Sequence, residues 1–230
     1  KPYEIWRKLF SINPAPFGAY CQWNEHHLLC LSPERFFQIK GSQLISQPIK
    51  GTIKRGASES EDLTLKEALL QSPKERNENV MIVDLVRNDL SQIATKGSVK
   101  VDELYGIYTF PKLHHMISTV SCHLPEQFNL SSILKSIFPM GSMTGVPKRR
   151  AVELMHQFEK SARGWYSGTI GFIEPNGNAD FNVIIRSIHY NQKINLAKIG
   201  IGSAITLQSE PKAEWKECWL KAQSLIQPLA

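Results

Sequence analysis

The 230 residues carry 42% hydrophobic and 21% charged side chains, with 14 Gly and 13 Pro, which excludes a disordered or fibrous chain. A chain of this length buries roughly 70–75% of its unfolded surface, so no disulfide framework is required. Its 27 basic and 21 acidic residues give a charge of +6, but only Lys148-Arg149-Arg150 is a dense basic cluster, and no nucleic-acid partner is expected. Cys21, Cys30, Cys122 and Cys218 form no CxxC pair and read as reduced packing residues of a cytoplasmic protein. No run reaches the ~18 apolar residues of a membrane span, and the amino end has no signal-peptide apolar region. The chain opens without Met inside a helical pattern, which suggests a fragment of a longer protein.

In chain order, strand-like runs at 18–23, 27–32, 36–39 and 43–47 are separated by turn residues and predict an antiparallel meander. Helices are expected at 60–71 and 73–95, the second stopped by Gly97. Strands at 98–101 and 114–123 precede a helix at 130–138, a Gly-rich loop and a helix at 147–160. The last third reads as strands at 167–174, 181–190 and 193–200, closed by a helix at 211–226. Grouped strands and grouped helices predict an α+β fold of antiparallel sheets packed with helices. No linker or repeat divides it, so one domain over 1–230 is expected.

Ser72-Pro73-Lys74-Glu75 is a helix start with Ser as N-cap and Glu at the capping-box position. At 100° per residue, Glu75 and Glu78 fall on the face of Ile82, Leu85 and Val86. Carboxylates on an inward face need a cation or a hydrogen-bonding partner. After Pro211 the device recurs: Glu214 and Glu217 are three apart, and Lys221 follows. An ordinary surface Glu-Lys pair is the plain alternative there. Four carboxylates without a matching His or Cys cluster are hard oxygen donors of the kind Mg²⁺ takes.

Gly141-Ser142-Met143-Thr144-Gly145-Val146-Pro147-Lys148 runs into a helix with Pro147 as its expected first residue. Free N–H groups at such a start bind phosphate or carboxylate, while the Walker A spacing is absent. Arg186 ends the apolar run 182–185 and, read as part of a buried strand, needs an anion beside it, either ligand or structural carboxylate. His114 and His115 face opposite ways in a strand; one is a general acid/base candidate and the other a surface group. Lys50, in Pro48-Ile49-Lys50-Gly51-Thr52, is either an exposed lysine or a nucleophile.

Several of these segments together resemble the chorismate-binding enzymes, the family of anthranilate synthase component I, aminodeoxychorismate synthase component I, isochorismate synthases and salicylate synthases. The matching runs are Ser32-Pro33-Glu34-Arg35-Phe36, Pro48 to Thr52, Met81 to Leu90, Gly141 to Lys148, and Ile184-Ile185-Arg186-Ser187. The resemblance implies an anthranilate synthase component I-like fold, covered in its catalytic part only, with the amino-terminal region missing. It implies Glu78 and Glu217 as direct Mg²⁺ ligands, supported by Glu75 and Glu214. Arg186 and Tyr166 resemble the anchors of the enolpyruvyl carboxylate, Lys221 a further carboxylate partner and Ser142 the hydroxyl of the loop. His115, with Ser118, meets the family's His-x-x-Ser pattern as the catalytic histidine. Gly202 resembles a backbone contact to substrate, and Gln208 stands where the family usually has Asp.

Lys50 separates the branches of the family. Anthranilate synthases resemble this motif with Ala at that place, whereas the sequence here is similar to aminodeoxychorismate synthases. The resemblance then implies Lys50 as nucleophile on chorismate, Glu34 as general acid, ammonia as second substrate, and a glutamine amidotransferase as partner. The product expected is 4-amino-4-deoxychorismate, the precursor of 4-aminobenzoate for folate. An anthranilate, isochorismate or salicylate synthase, or an inactive chorismate-binding fragment, are the alternatives. The +6 charge is expected to serve a dianionic substrate through Lys50, Lys148, Arg186 and Lys221.

Overall fold

The computed structural model describes residues 1–207 and 209–229. In chain order its elements are α1 (Pro2–Ile12), β1 (Phe17–Trp23), β2 (His26–Ser32), β3 (Arg35–Lys40), β4 (Gln43–Gln47), β5 (Ile49–Lys54), α2 (Glu59–Gln71) and α3 (Pro73–Ser91). These are followed by β6 (Lys100–Thr109), β7 (Leu113–His123), α4 (Leu130–Ile137), a 3-10 turn at Gly141–Met143 and α5 (Lys148–Phe158). The remainder is β8 (Gly171–Ile173), β9 (Ala179–Asn182), β10 (Ser187–Asn191), β11 (Leu196–Ile199) and α6 (Pro211–Ile226). The pairs β1–β2, β2–β10, β10–β11, β3–β4, β4–β7, β5–β7, β6–β7 and β8–β9 are antiparallel, and the expected α+β class stands.

The chain forms two compact units. The first comprises Lys1–Glu34, Ala162–Ile170 and the chain from Asn182 onward. Its sheet runs β1-β2-β10-β11. Both faces of β2 are covered, which is why residues 28–31 read as a continuous apolar run instead of an alternating one. Leu29 and Leu31 pack with Leu9 of α1, Ile188 and Leu225 of α6. Leu28 and Cys30 point the other way, toward Ile184 and Trp165. Trp6 fixes α1 to the sheet by donating its indole N–H to the Cys30 carbonyl (3.1 Å).

The second unit comprises Arg35–Ser161 and Gly171–Phe181. Its sheet follows the order β5-β7-β4-β3-β9-β8, with β6 also paired to β7. The long β7 is the centre: its first half pairs with β5, its second half with β4, and β6 lies along its other edge. Helix α3 lays Ile82, Val83, Leu85, Val86 and Leu90 into the core. Pro73 at its start, with the Ser72 hydroxyl accepting from the Glu75 N–H (3.4 Å), realises the helix start read from the sequence.

Several expectations are corrected. The meander of the first fifty residues is two hairpins, since β2 pairs with β10 and β3 belongs to the other sheet. The expected strand 181–190 is broken: β9 ends at Asn182, β10 starts at Ser187, and Arg186 between them has φ 50°. The strands at 167–174 and 193–200 shrink to β8 and β11. Strand β6 continues to Thr109, beyond the expected end at 101, because two register shifts and a left-handed Tyr105 (φ 61°) break the alternation by which the rest of it would be read. Pro147 caps α5 from outside instead of opening it. The helix expected at 211–226 matches α6 residue for residue.

Candidate active site

In the second unit the pentapeptide Pro48 to Thr52 gathers three of the expected site residues. Lys50 is half-buried on β5 and makes no hydrogen bond or ion pair among the described residues. Gly51 has φ 91°, and a Cβ there would stand 3.1 Å from Glu75 Oε2 and 3.1 Å from Leu69. The glycine is therefore required twice, for its backbone and for the close approach of Glu75. The Thr52 hydroxyl is hydrogen-bonded to His115 Nδ1 (2.8 Å) across the β5–β7 pair, and the Phe110 ring meets the imidazole edge-on. Strand β5 thus carries Lys50 and, through Gly51 and Thr52, touches Glu75 and His115.

His115 is 6% exposed. His114 was expected at the surface, and the structure corrects this: it is fully buried, at 0% exposed. Its Nε2 meets Asp62 (2.9 Å) and its Nδ1 meets the Thr109 hydroxyl (3.0 Å). The buried face of the sheet is closed by a helix here, so both sides of β7 are interior. Asp62 also accepts from Arg55 Nε (2.8 Å) and the Gly56 N–H (2.7 Å). Its bond from Arg55 chiefly, helped by Gly56 and His114, holds its carboxyl well below the usual range. Ser118, of the His-x-x-Ser pattern, accepts from the Tyr105 N–H (3.0 Å) and donates to Asn79 Oδ1 (2.6 Å). Asn79 follows Glu78 on α3 and is fully buried, and its Nδ2 has no partner among the described residues.

Ser142 is half-buried in the 3-10 turn Gly141–Met143. Lys148, expected to serve a bound anion, is instead engaged: Nζ lies 2.5 Å from Asp89 Oδ2 and 3.1 Å from the Ile137 carbonyl. Burial pushes the Asp89 carboxyl up, and Lys148 opposes that shift.

In the first unit, four expected substrate-binding residues come together around α6. Arg186 is half-buried, and its Nη1 donates to Ser224 Oγ (3.1 Å). No carboxylate lies within 4 Å of its guanidinium among the described residues, so the structural partner that a buried arginine calls for is missing. Burial lowers its pKa, and the charge of Glu217 acts against that. Ser224 donates onward to the Lys221 carbonyl (2.7 Å). Lys221 Nζ contacts the Gly202 carbonyl (3.0 Å) and Glu217 (2.5 Å). A Cβ on Gly202 would stand 2.8 Å from the Tyr166 hydroxyl. Arg163 lies over the Tyr166 ring, 5.8 Å from its centroid. Ser224, one turn beyond Lys221, carried no sequence signal of its own. Glu34 is buried at the end of this unit's first segment, where its carbonyl accepts from the Val183 N–H (3.1 Å). Gln208 lies outside the described residues.

The carboxylate pairs differ in setting. Glu75 and Glu78 are half-buried, with Lys74 4.0 Å from Glu78; Glu214 is buried and Glu217 exposed. Carboxylate-only donors at partly solvated helix starts fit the chemistry of Mg²⁺. Among the described residues no group of three or more His, Cys, Asp or Glu is arranged to hold a metal. Likewise, no described helix is long and apolar enough to cross a membrane.

The family resemblance stands on direct comparison. The profile described as chorismate binding enzyme matches residues 1–227, and the chain belongs to that family. The aminodeoxychorismate synthase component 1 of Klebsiella aerogenes is 39% identical over 227 residues, 99% of this chain and 50% of the relative. That of Escherichia coli is 38% identical over 228 residues, again 99% and 50%. The chain spans about half the length of the component 1 relatives it matches. Among solved structures, anthranilate synthase component I from Streptococcus pneumoniae superposes with a TM-score of 0.87 at 28% identity, covering 98% of this chain and 49% of that one. The menaquinone-specific isochorismate synthase from Escherichia coli gives 0.80 at 23% identity, covering 90% and 47%, and shows the same fold.

Proposed function

We propose that this chain is the catalytic part of a cytoplasmic aminodeoxychorismate synthase, which aminates chorismate to 4-amino-4-deoxychorismate for 4-aminobenzoate and folate synthesis. The observation that carries the reading is Arg186. A half-buried guanidinium with no carboxylate within 4 Å among the described residues, at a left-handed backbone position, suits the binding of an anion. Tyr166, Gly202 and Lys221 around it suit a carboxylate-bearing small molecule. Strain of this kind is retained where the surrounding structure needs the side chain aimed one way.

Lys50 selects the chemistry. Its neutral amine forms a C–N bond at C2 of chorismate as the C4–O bond breaks, and the leaving hydroxyl takes the proton of Glu34 and departs as water. Ammonia then forms a C–N bond at C4 while the bond to Lys50 breaks and returns its neutral amine, and the new C4 ammonium gives a proton back to the Glu34 carboxylate. Two easier displacements replace one hard one. Thr52 orients His115 as an acid/base group beside this strand, and Gly51 admits Glu75. The Ser142 hydroxyl binds a substrate oxygen. When bound, Mg²⁺ neutralises carboxylate charge and fixes its position; Glu78 and Glu217, with Glu75 and Glu214, are the residues that would hold it. A glutamine amidotransferase is the proposed source of ammonia, which ammonium salts replace in the test tube.

Incubation with chorismate, Mg²⁺ and ammonium chloride, with chromatographic identification of the product, tests the reading. Aminodeoxychorismate is expected; anthranilate, isochorismate or salicylate would assign another branch of the family, and chorismate binding without turnover would make the chain a binding fragment.

A further inference from the structure

We infer that Lys148 is a positioning residue: its ion pair with Asp89 clamps the Gly141–Gly145 loop onto α3 and so sets the place of Ser142. This inference rests on the reading of Ser142 as a substrate-binding hydroxyl. The loop is fixed at both ends by one stripe of one helix. At its start, a Cβ on the buried Gly141 would stand 3.1 Å from Leu85 Cδ2, so the backbone lies directly on that side chain. At its end, Lys148 Nζ reaches Asp89. Leu85 and Asp89 are four apart on α3 and share a face.

Between these anchors the loop is knit to itself. Thr144 Oγ1 donates to the Met140 carbonyl (3.1 Å), and the Thr144 N–H donates to the Gly141 carbonyl (3.1 Å). A second bond from Lys148 Nζ, to the Ile137 carbonyl, ties in the end of α4. Asp89 is 5% exposed and the Lys148 side chain 18%. Releasing the loop would leave two poorly solvated charges apart, which a protein interior penalises heavily.

Two of the three donors of the ammonium are used, and its charge is neutralised at contact distance. Anion recognition at this loop therefore falls to Ser142 and the backbone, with Lys148 acting through them. The same helix carries Glu75 and Glu78 at its start. From Glu78 to Leu85 and to Asp89 the axis rises roughly 10 and 16 Å, so α3 spaces the carboxylate pair from the Ser142 loop as a rigid bar.

Hydrogen exchange of residues 139–147, read by mass spectrometry beside chorismate kinetics, tests the clamp in wild type, Lys148→Met, Lys148→Arg and the neutral pair Asp89→Asn with Lys148→Gln. Lys148→Met should speed exchange in the loop about tenfold or more while β7 keeps its protection. The chorismate KM should rise with kcat held within about threefold, and Lys148→Arg should recover much of both. The neutral pair leaves no buried charge unpaired, and it should show the same loop exchange even where the single variant fails to fold. Wild-type exchange in the folded neutral pair or in Lys148→Met would overturn the clamp. So would a kcat collapse with the loop undisturbed, which would make Lys148 a catalytic group. If wild type turns over no chorismate, the functional reading falls, and the exchange measurement still decides the clamp.

Discussion

Arg35 and Arg186 belong to two segments with opposite ways of handling a guanidinium. Arg35 opens β3 and meets Asp180 through Nε and Nη2, both at 2.9 Å, with Nη1 on Gln47 (2.5 Å). Gln38 completes the carboxylate (2.7 Å). Arg186 has a serine hydroxyl and a distant Glu217 instead. The first is a fork filled by its matching carboxylate, which fixes β3 against β9; the second has no carboxylate within 4 Å among the described residues. Lysines divide the same way, with Lys148 engaged by Asp89 and Lys50 unengaged. Under the proposed function, the paired Arg35 and Lys148 serve the fold, while Arg186 and Lys50, which have no carboxylate partner among the described residues, serve the substrate.

The largest effect that can break this division is at Lys50. Lys50→Ala should cut formation of aminodeoxychorismate by about 10²-fold or more, while the urea unfolding midpoint stays near the wild-type value, since the ammonium makes no hydrogen bond or ion pair among the described residues. Wild-type rates in this variant would remove the covalent role, and a large loss of stability would place Lys50 among the structural cations.

The two arginines give the next test. Arg186→Met should raise the chorismate KM about 10- to 100-fold, the worth of a charge-assisted bond to a carboxylate, with little change in melting temperature. Arg35→Met should do the reverse. It strands Asp180 in a part-buried place, at a cost of about 2–4 kcal/mol, and leaves KM near wild type. A swap of these outcomes would refute the assignment of Arg186 to substrate.

Acid exposes a third committed group. The carboxyl of Asp62 is held below its unfolded value of about 3.9. A depressed carboxylate contributes stability that is fully present above the unfolded value and lost as pH falls through the folded one. Asp62→Asn should therefore be less stable than wild type at pH 6, and the gap should close as the pH is taken below about 4. Asp89 is raised, so its ionisation works against folding as pH climbs above about 3.9, the opposite sign. Urea titrations at several pH values check this; a gap that stays constant down to pH 2 would contradict the role given to Asp62.

Much of this was legible in the sequence, and the failures have physical causes. Helix α6 was readable because Pro211 and the apolar stripe agree, and the start of α3 because Pro73 and the capping Ser72 agree with its stripe. The family motifs led to Lys50, Arg186 and His115. What could not be read was who pairs with whom across the sheet. Asp62 reaches His114 over 52 residues and Lys148 reaches Asp89 over 59, and no local pattern encodes such contacts. His114 read as a surface group because alternation assumes that one face of a strand is wet, whereas α2 and α3 cover that side of β7. The glycine of the pentapeptide was visible, but its reason, the approach of Glu75, was not.

Lys221 sits on the boundary of the division and gives the smallest effect. It is paired with Glu217, yet the pair is an i,i+4 contact with the carboxylate 47% exposed, a kind worth about 0.3–0.5 kcal/mol. In a chain of this size that is a shift of about 1–2 °C in melting temperature. Its bond to the Gly202 carbonyl adds a tie to the segment beside Tyr166. Lys221→Met should therefore barely change stability, and because Glu217 already screens the ammonium, its loss should raise the chorismate KM only a few-fold, well short of Arg186→Met. Should KM stay unchanged while melting falls by more than about 5 °C, Lys221 would join Arg35 and Lys148 as a cation of the fold, and the anion site would rest on Arg186 and Tyr166.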